Sequence, residues 1–255
     1  MQAFPSGWTG ARIVFLDCDS TLSAVEGIDE LARRKGVDVA ALTAAAMAGT
    51  VPLQSVYRRR LELIRPDEDD FIWLADRYAR TTVPGAVDLV AALARLEIPC
   101  HVISGGLRPA VLPFALSIGF TADRVHAVDY PLDAPDPVDT ACAHPLARDG
   151  GKPATIATLC TNGPARSQRM LVGDGTSDLE AGSECGLFVG FGGVVDRPEV
   201  RRAAPVFLAT ASLGVLAGFA AGPKRLAELE RVAPALHDQF LRGLDSSQQL
   251  VIREP

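Results

Sequence analysis

The chain has 255 residues, 48% of them hydrophobic and 22% charged, with a formal net charge of −6 and a mean hydropathy of +0.17. That is enough apolar length for one large core or a core with a smaller second domain, and the acidic balance argues against nonspecific nucleic-acid binding, which needs a basic surface. Five scattered cysteines without a CxxC, and four scattered histidines, argue against a disulfide frame or a zinc site and point to reduced thiols in a cytoplasmic protein.

Residues 1–12 lack a basic stretch followed by an apolar one, so no signal peptide is expected. Residues 12–16 read as a short buried strand. Four helical patterns follow: 28–34, closed by Gly36; the alanine-rich 39–48, closed by Gly49; 52–64, with proline in its first turn; and 67–80, opened by acids that suit a helix N-terminus. After Pro84-Gly85 helices and strands alternate: helix 86–96, strand 99–103, helix 109–118, strand 125–128, helix 153–160, strand 169–172, helix 178–185 and strand 187–189. Alternation with glycine-marked turns predicts an α/β fold, a doubly wound parallel sheet. The helical block 23–80 lies between the first strand and the rest of its sheet, so it reads as a small inserted cap on a core of 1–22 and 81–221.

The proline-rich stretch 129–151 reads as a loop. Residues 203–223 carry no charge and are long enough to cross a bilayer, yet their small and hydroxylated residues favour a strand over 206–209 and then a buried helix, with no membrane segment. Residues 222–255 read as a C-terminal helical extension. Its stripe of Leu226, Leu229, Val232, Leu236, Phe240 and Leu244 is expected to pack on its own domain, a homodimer being the alternative.

In open α/β sheets the ligand sits beyond the carboxyl ends of the strands, so polar residues that directly follow apolar strands converge. Here these are Asp17-Cys18-Asp19-Ser20-Thr21, then Ser104-Gly105-Gly106, then Gly173-Asp174-Gly175-Thr176-Ser177-Asp178, with Lys152 after a glycine pair. Carboxylates without histidine favour a hard cation such as Mg2+, while a hydroxyl, glycine N–H groups and a lysine favour an anion. A site with both suits a phosphate ester. Asp17 could attack phosphorus, and Asp19, on the same face two residues on, could move the proton.

These four segments, in this order, resemble the motifs of the haloacid-dehalogenase-like phosphatases. The run D-x-D-S-T-x-x-x-x-E-G-I-D-E-L-A, with VPL, ISGG, GDGTSD and VGFGG, narrows the likeness to the phosphoserine phosphatase family over about residues 11–215. The resemblance implies a Rossmann-type core with a helical cap, and a Mg2+-dependent phosphomonoesterase of serine biosynthesis acting on a small phosphomonoester, L-phosphoserine. The alternative is a phosphatase or phosphotransferase acting on another small phospho-metabolite, such as phosphoethanolamine, histidinol phosphate, glycerol phosphate, phosphothreonine or phosphohomoserine. By that likeness Asp17 is nucleophile and metal ligand, and Asp19 is acid/base with its carbonyl on the metal. Asp174 completes the protein ligands with Asp178 behind it. Ser104, Gly105 and Lys152 hold the phosphoryl oxygens, with Ser177 assisting. In the cap, Glu26 meets the substrate ammonium, Arg60 its carboxylate, and Met47 lines the pocket. Asp29 and Glu30 are expected to be helix-start charges, and Cys18 a core residue.

The chain departs from the family pattern in three places. A proline-rich stretch replaces the usual hairpin with its Gly-x-x-x-Gly-Phe pattern between 128 and 151, residues 222–255 extend past the usual end, and Ser177 stands where threonine is common.

Overall fold

The apolar run after Arg12 becomes β1 (Ile13–Leu16), and all its residues are buried because strands flank it on both sides. The computed structural model describes residues 3–39, 41–42, 53–246 and 249–253. Among them the remaining strands are β2 (Cys100–Leu107), β3 (Val125–Val128), β4 (Arg169–Gly173), β5 (Leu187–Phe191), β6 (Val206–Leu208) and β7 (Leu250–Ile252). The sheet order is β3-β2-β1-β4-β5-β6-β7, parallel from β3 to β6, with β7 antiparallel at the edge. The doubly wound parallel sheet expected from the alternating pattern is therefore present. Chain order reverses about β1, which pairs with β2 on one side and β4 on the other. The crevice for a ligand opens at such a reversal.

Between β1 and β2 lie α1 (Gly27–Lys35), α2 (Leu53–Ile64), α3 (Glu68–Arg80) and α4 (Ala86–Arg95). Gly36 closes α1 at φ 68°, the left-handed turn that its sequence position predicts. Asp67 and Asp70 form a reciprocal capping box that starts α3. Its buried stripe of Phe71, Leu74 and Tyr78 packs on α5 (Arg108–Ser117), where the Tyr78 and Phe114 rings stack with centroids 5.4 Å apart. Met47 and most of the helix expected over 39–48 lie outside the described residues.

Several elements differ from the sequence reading. β2 runs on through Ser104-Gly105-Gly106, with a register break between Ile103 and Leu107 that two glycines accommodate. The stretch 129–151 holds a short helix, α6 (Pro137–Ala143), capped by Asp136 with proline in its first turn, and α6 packs against cap helix α2. Helices α7 (Gly151–Leu159) and α8 (Thr176–Ala181) both start two residues early, which puts Lys152 and Ser177 in their first turns. A further helix, α9 (Pro198–Ala203), precedes β6.

The tail supplies α10 (Leu216–Val232), broken at Gly222 before Pro223, then α11 (Pro234–Leu244). It also supplies β7, a strand in a segment read as wholly helical. The apolar stripe packs inward, with Leu229, Leu236 and Phe240 buried. All five cysteines, Cys18 included, are buried free thiols. Among the described residues no helix is long and apolar enough to cross a membrane.

Candidate active site

Asp17 is the first residue past β1, and its N–H donates to Val172 of β4 at 3.0 Å. The chain then turns sharply: the N–H groups of Thr21, Leu22 and Ser23 all donate to the Cys18 carbonyl, and Ser20 sits at φ 53°. This turn carries Asp19 and Thr21 back over the strand ends. Asp174 and Asp178 arrive from the end of β4 and the first turn of α8, and Lys152 from the first turn of α7. Carboxylate oxygens of Asp17, Asp174 and Asp178 all lie within 4.8 Å of one another, and all three residues are buried. Lys152, 7% exposed, sits 2.9 Å from Asp17 Oδ1 and 2.6 Å from Asp178 Oδ1. Thr21 donates to Asp174 at 3.3 Å, and the Gly175 N–H to Asp178 at 3.0 Å. Gly173 has to be glycine, because a Cβ there would come 2.2 Å from the Asp178 carboxyl carbon.

Asp19 is held separately. Its Oδ1 accepts from the Tyr78 hydroxyl and from the Gly27 N–H, each at 2.7 Å. A Cβ on Gly27 would sit 1.9 Å from the Tyr78 oxygen, so Tyr78 of α3 reaches Asp19 only past a glycine. Burial, then the Glu26 charge, pushes the Asp19 carboxyl up to about 6 against the pull of those two hydrogen bonds. Burial and the Asp178 charge raise Asp17 well above the usual carboxylate range, with Lys152 opposing. Asp174 is pushed up to about 7, by burial, Asp178 and Glu26. Burial works to deprotonate Lys152, but Asp17 and Asp178 outweigh it and hold the ammonium above its ordinary value. Crowded carboxylates raised in this way are relieved by a cation.

Ser104 is fully buried at the bulge of β2, where its Oγ accepts from the Gly106 N–H at 2.9 Å. Gly105 is half-exposed, and its carbonyl accepts from Tyr57 of the cap. Ser177 is half-buried in the first turn of α8. The two proposed cap ligands are already engaged. Glu26, just ahead of α1, accepts from Ser20 at 2.8 Å and from Arg197 at 3.1 Å. Arg60 of α2 pairs with Asp29, and its buried Nε has no partner among the described residues. Asp29 and Glu30 do sit in the first turn of α1, and each also takes a cap arginine, Arg60 and Arg77.

Sequence reasoning missed Arg197, Tyr78 and Tyr57. Arg197 bridges Asp174, at 2.9 Å, and Glu26. It lies beyond Gly192-Gly193 and Asp196 after β5, which ends at Phe191, and caps α9, so the rule of collecting residues directly after a strand does not reach it. The two tyrosines gave no signal, because at helical spacing among apolar residues each reads as core. A cavity of about 420 Å³ beside β3, lined in part by Arg108, His126 and His144, contains none of the predicted site residues.

No protein-family model matches the chain. Among solved structures it is similar to a phosphoserine phosphatase in a phospho-aspartyl intermediate analogue form, with 24% identity, a TM-score of 0.66 and coverage of 80% of this chain and 96% of that one. A substrate-bound phosphoserine phosphatase complex gives 23% identity and a TM-score of 0.65 over 80% of this chain and 95% of that one. The fold is therefore the one these two solved structures share, with the acidic cluster of this chain at the point where the sheet order reverses. Sequence relatives narrow the class. A phosphoserine phosphatase of Drosophila melanogaster is 34% identical over 201 residues, 78% of this chain and 74% of the relative. The human phosphoserine phosphatase is 33% identical over 195 residues, 75% of this chain and 86% of the relative. The chain belongs to the phosphoserine phosphatase family and is a phosphomonoesterase.

Proposed function

We propose that the protein hydrolyses L-phosphoserine to L-serine and phosphate, the closing step of serine biosynthesis, through an aspartyl-phosphate on Asp17 with Mg2+ as cofactor. The observation that carries this reading is the placement of Asp17, buried beside Lys152 and grouped with Asp174 and Asp178 at the sheet reversal. A carboxylate of Asp17 attacks phosphorus, and the ester P–O bond breaks as protonated Asp19 gives its proton to the leaving serine oxygen. Asp19, now a carboxylate, takes a proton from the water that attacks the aspartyl-phosphate, which releases phosphate and restores Asp17. Lys152 and Ser104 face the phosphoryl oxygens, and the cap excludes bulk water.

The residues fit a hard cation. Five carboxylates (Asp17, Asp19, Glu26, Asp174, Asp178) face two cations, Lys152 and Arg197, and no histidine is among them. Asp17, Asp174 and the Asp19 carbonyl would hold Mg2+, with Asp178 behind them. When bound, it neutralises charge on the phosphoryl group and its carboxylate neighbours.

That Arg60 Nε has no partner among the described residues supports Arg60 as the ligand of a substrate carboxylate, which would leave Glu26 as the partner of an ammonium. That both side chains are paired inside the protein favours a second reading, a phosphatase of another small phospho-metabolite. Hydrolysis of phosphoserine, phosphothreonine, phosphoethanolamine, glycerol phosphate and histidinol phosphate separates the two. Phosphoserine should have the highest kcat/KM, and chelation should abolish turnover until Mg2+ is restored. Equal rates with phosphoethanolamine, which lacks a carboxylate, would remove the Arg60 assignment.

A further inference from the structure

Tyr57 lies in cap helix α2, is 5% exposed, and donates its hydroxyl to the Gly105 carbonyl at 2.9 Å. That carbonyl and the Gly106 N–H are the two ends of one planar peptide unit, so fixing one end orients the other. The Gly106 N–H donates to Ser104 Oγ at 2.9 Å. Ser104 thus accepts one hydrogen bond, and among the described residues its own hydroxyl hydrogen meets no protein acceptor, although the residue is 0% exposed. Its oxygen borders the reacting crevice: a Cβ on Gly106 would lie 3.0 Å from Asp19 Oδ2 and 3.1 Å from Ser104 Oγ. The chain of donors therefore runs in one direction, from α2, through a peptide, to a buried hydroxyl whose own proton is left over.

We propose that Tyr57 is a positioning residue, whose hydroxyl, when the cap docks, orients and polarises the Gly105–Gly106 peptide and so readies the Ser104 hydroxyl for the transferring phosphoryl group. This rests on the phosphoryl-transfer reading of the site given above. Aligned hydrogen bonds strengthen one another, and a donor fixed before the reaction needs no reorganisation during it. Burial, then the Asp19 charge, raises the Tyr57 phenol well above its ordinary value, so it stays a neutral donor. A second cap-to-core contact, Arg58 to Asp139 of α6 at 2.5 Å, is 42% and 61% exposed at its two side chains. An exposed pair of that kind contributes little, which makes Arg58 the natural control.

The test uses the full chain with Mg2+, an aryl phosphate and phosphoserine as substrates, and orthovanadate as a phosphoryl mimic. Tyr57→Phe keeps the ring and removes the hydroxyl. It should lower kcat about tenfold on both substrates and weaken orthovanadate inhibition by a similar factor, with KM for phosphoserine within about twofold. In a Ser104→Ala background, Tyr57→Phe should have no further effect on kcat, because the two act through one another. Arg58→Ala should leave the rates in place. An unchanged kcat in Tyr57→Phe overturns the proposal, even with a lowered melting temperature. So does an equal loss with and without Ser104, or a KM rise confined to phosphoserine. Turnover of the aryl phosphate without phosphoserine would sink the substrate reading and leave the Tyr57 test standing.

Discussion

The site has two halves built on different physical terms. On the core side, Asp17, Ser104, Lys152, Asp174 and Asp178 are all buried and project from strand ends, the bulge of β2 or first helical turns, where the backbone sets their positions. On the cap side, Glu26 and Arg60 are long side chains, 39% and 14% exposed, and each is held by an ion pair within the chain. The contrast teaches that the acidic cluster and its lysine are fixed by the sheet, whereas the side chains proposed for recognition are long ones that would have to change partners when a substrate enters. Arg197 joins the halves, with one nitrogen on Asp174 and another on Glu26.

The contrast breaks first at Asp17, the proposed nucleophile. Asp17→Asn should cost about 10⁴-fold or more in kcat on any substrate, since nothing on the cap side replaces it; steady-state kinetics with an aryl phosphate checks this. Next is Lys152→Met, which leaves Asp17 and Asp178 buried without their cation. Denaturant unfolding of the metal-free chain should show about 3 kcal/mol less stability, and Mg2+ should recover part of it. On the cap side the expected effect is smaller and selective. Arg60→Ala should raise KM for phosphoserine by about tenfold, with the aryl phosphate little affected; equal damage to both would make Arg60 a cap-packing residue.

The smallest effect lies outside both halves. His101 and His126 stack with ring centroids 5.3 Å apart, and their ring nitrogens approach to 3.0 Å. Burial, then the charges of His126 and Arg124, pushes His101 down to about 4, and burial, then Arg108, lowers His126 from its ordinary value. Depressed values mean that the unfolded chain binds protons first. The stability of the neutral pair is thus present in full above about pH 6.5 and is lost as the pH falls toward 4. The raised Asp19 and Asp174 carboxyls act in the opposite sense over that window but are common to parent and variant, so the comparison isolates the pair: on acidification His101→Gln should lose less melting temperature than the parent chain.

The legibility of the sequence follows the same division. Asp17, Asp19, Ser104, Asp174 and Asp178 could be read because each follows an apolar strand within a few residues, and an open parallel sheet converts that adjacency into convergence. Tyr57 and Tyr78 could not, because their hydroxyls matter only through where a packed cap helix lands. Helix α6 carried a local signal that proline content obscured: Asp136 as cap, Pro137 in the first turn and Asp139 after it. Strand β7 has three residues, too few for a period to show, and exists because β6 offers an edge to pair with.

The central position of β1 also bears on how the protein is made. Its Val14 pairs with Cys100 on one side and Met170 on the other, both far along the chain. Contacts of such separation are slow to form, and during synthesis they wait for the distant partner to leave the ribosome. A nascent chain that has not yet extruded α8 carries Asp17 but lacks Asp174 and Asp178. The acidic cluster is therefore complete only after most of the polypeptide has emerged, however early Asp17 was translated.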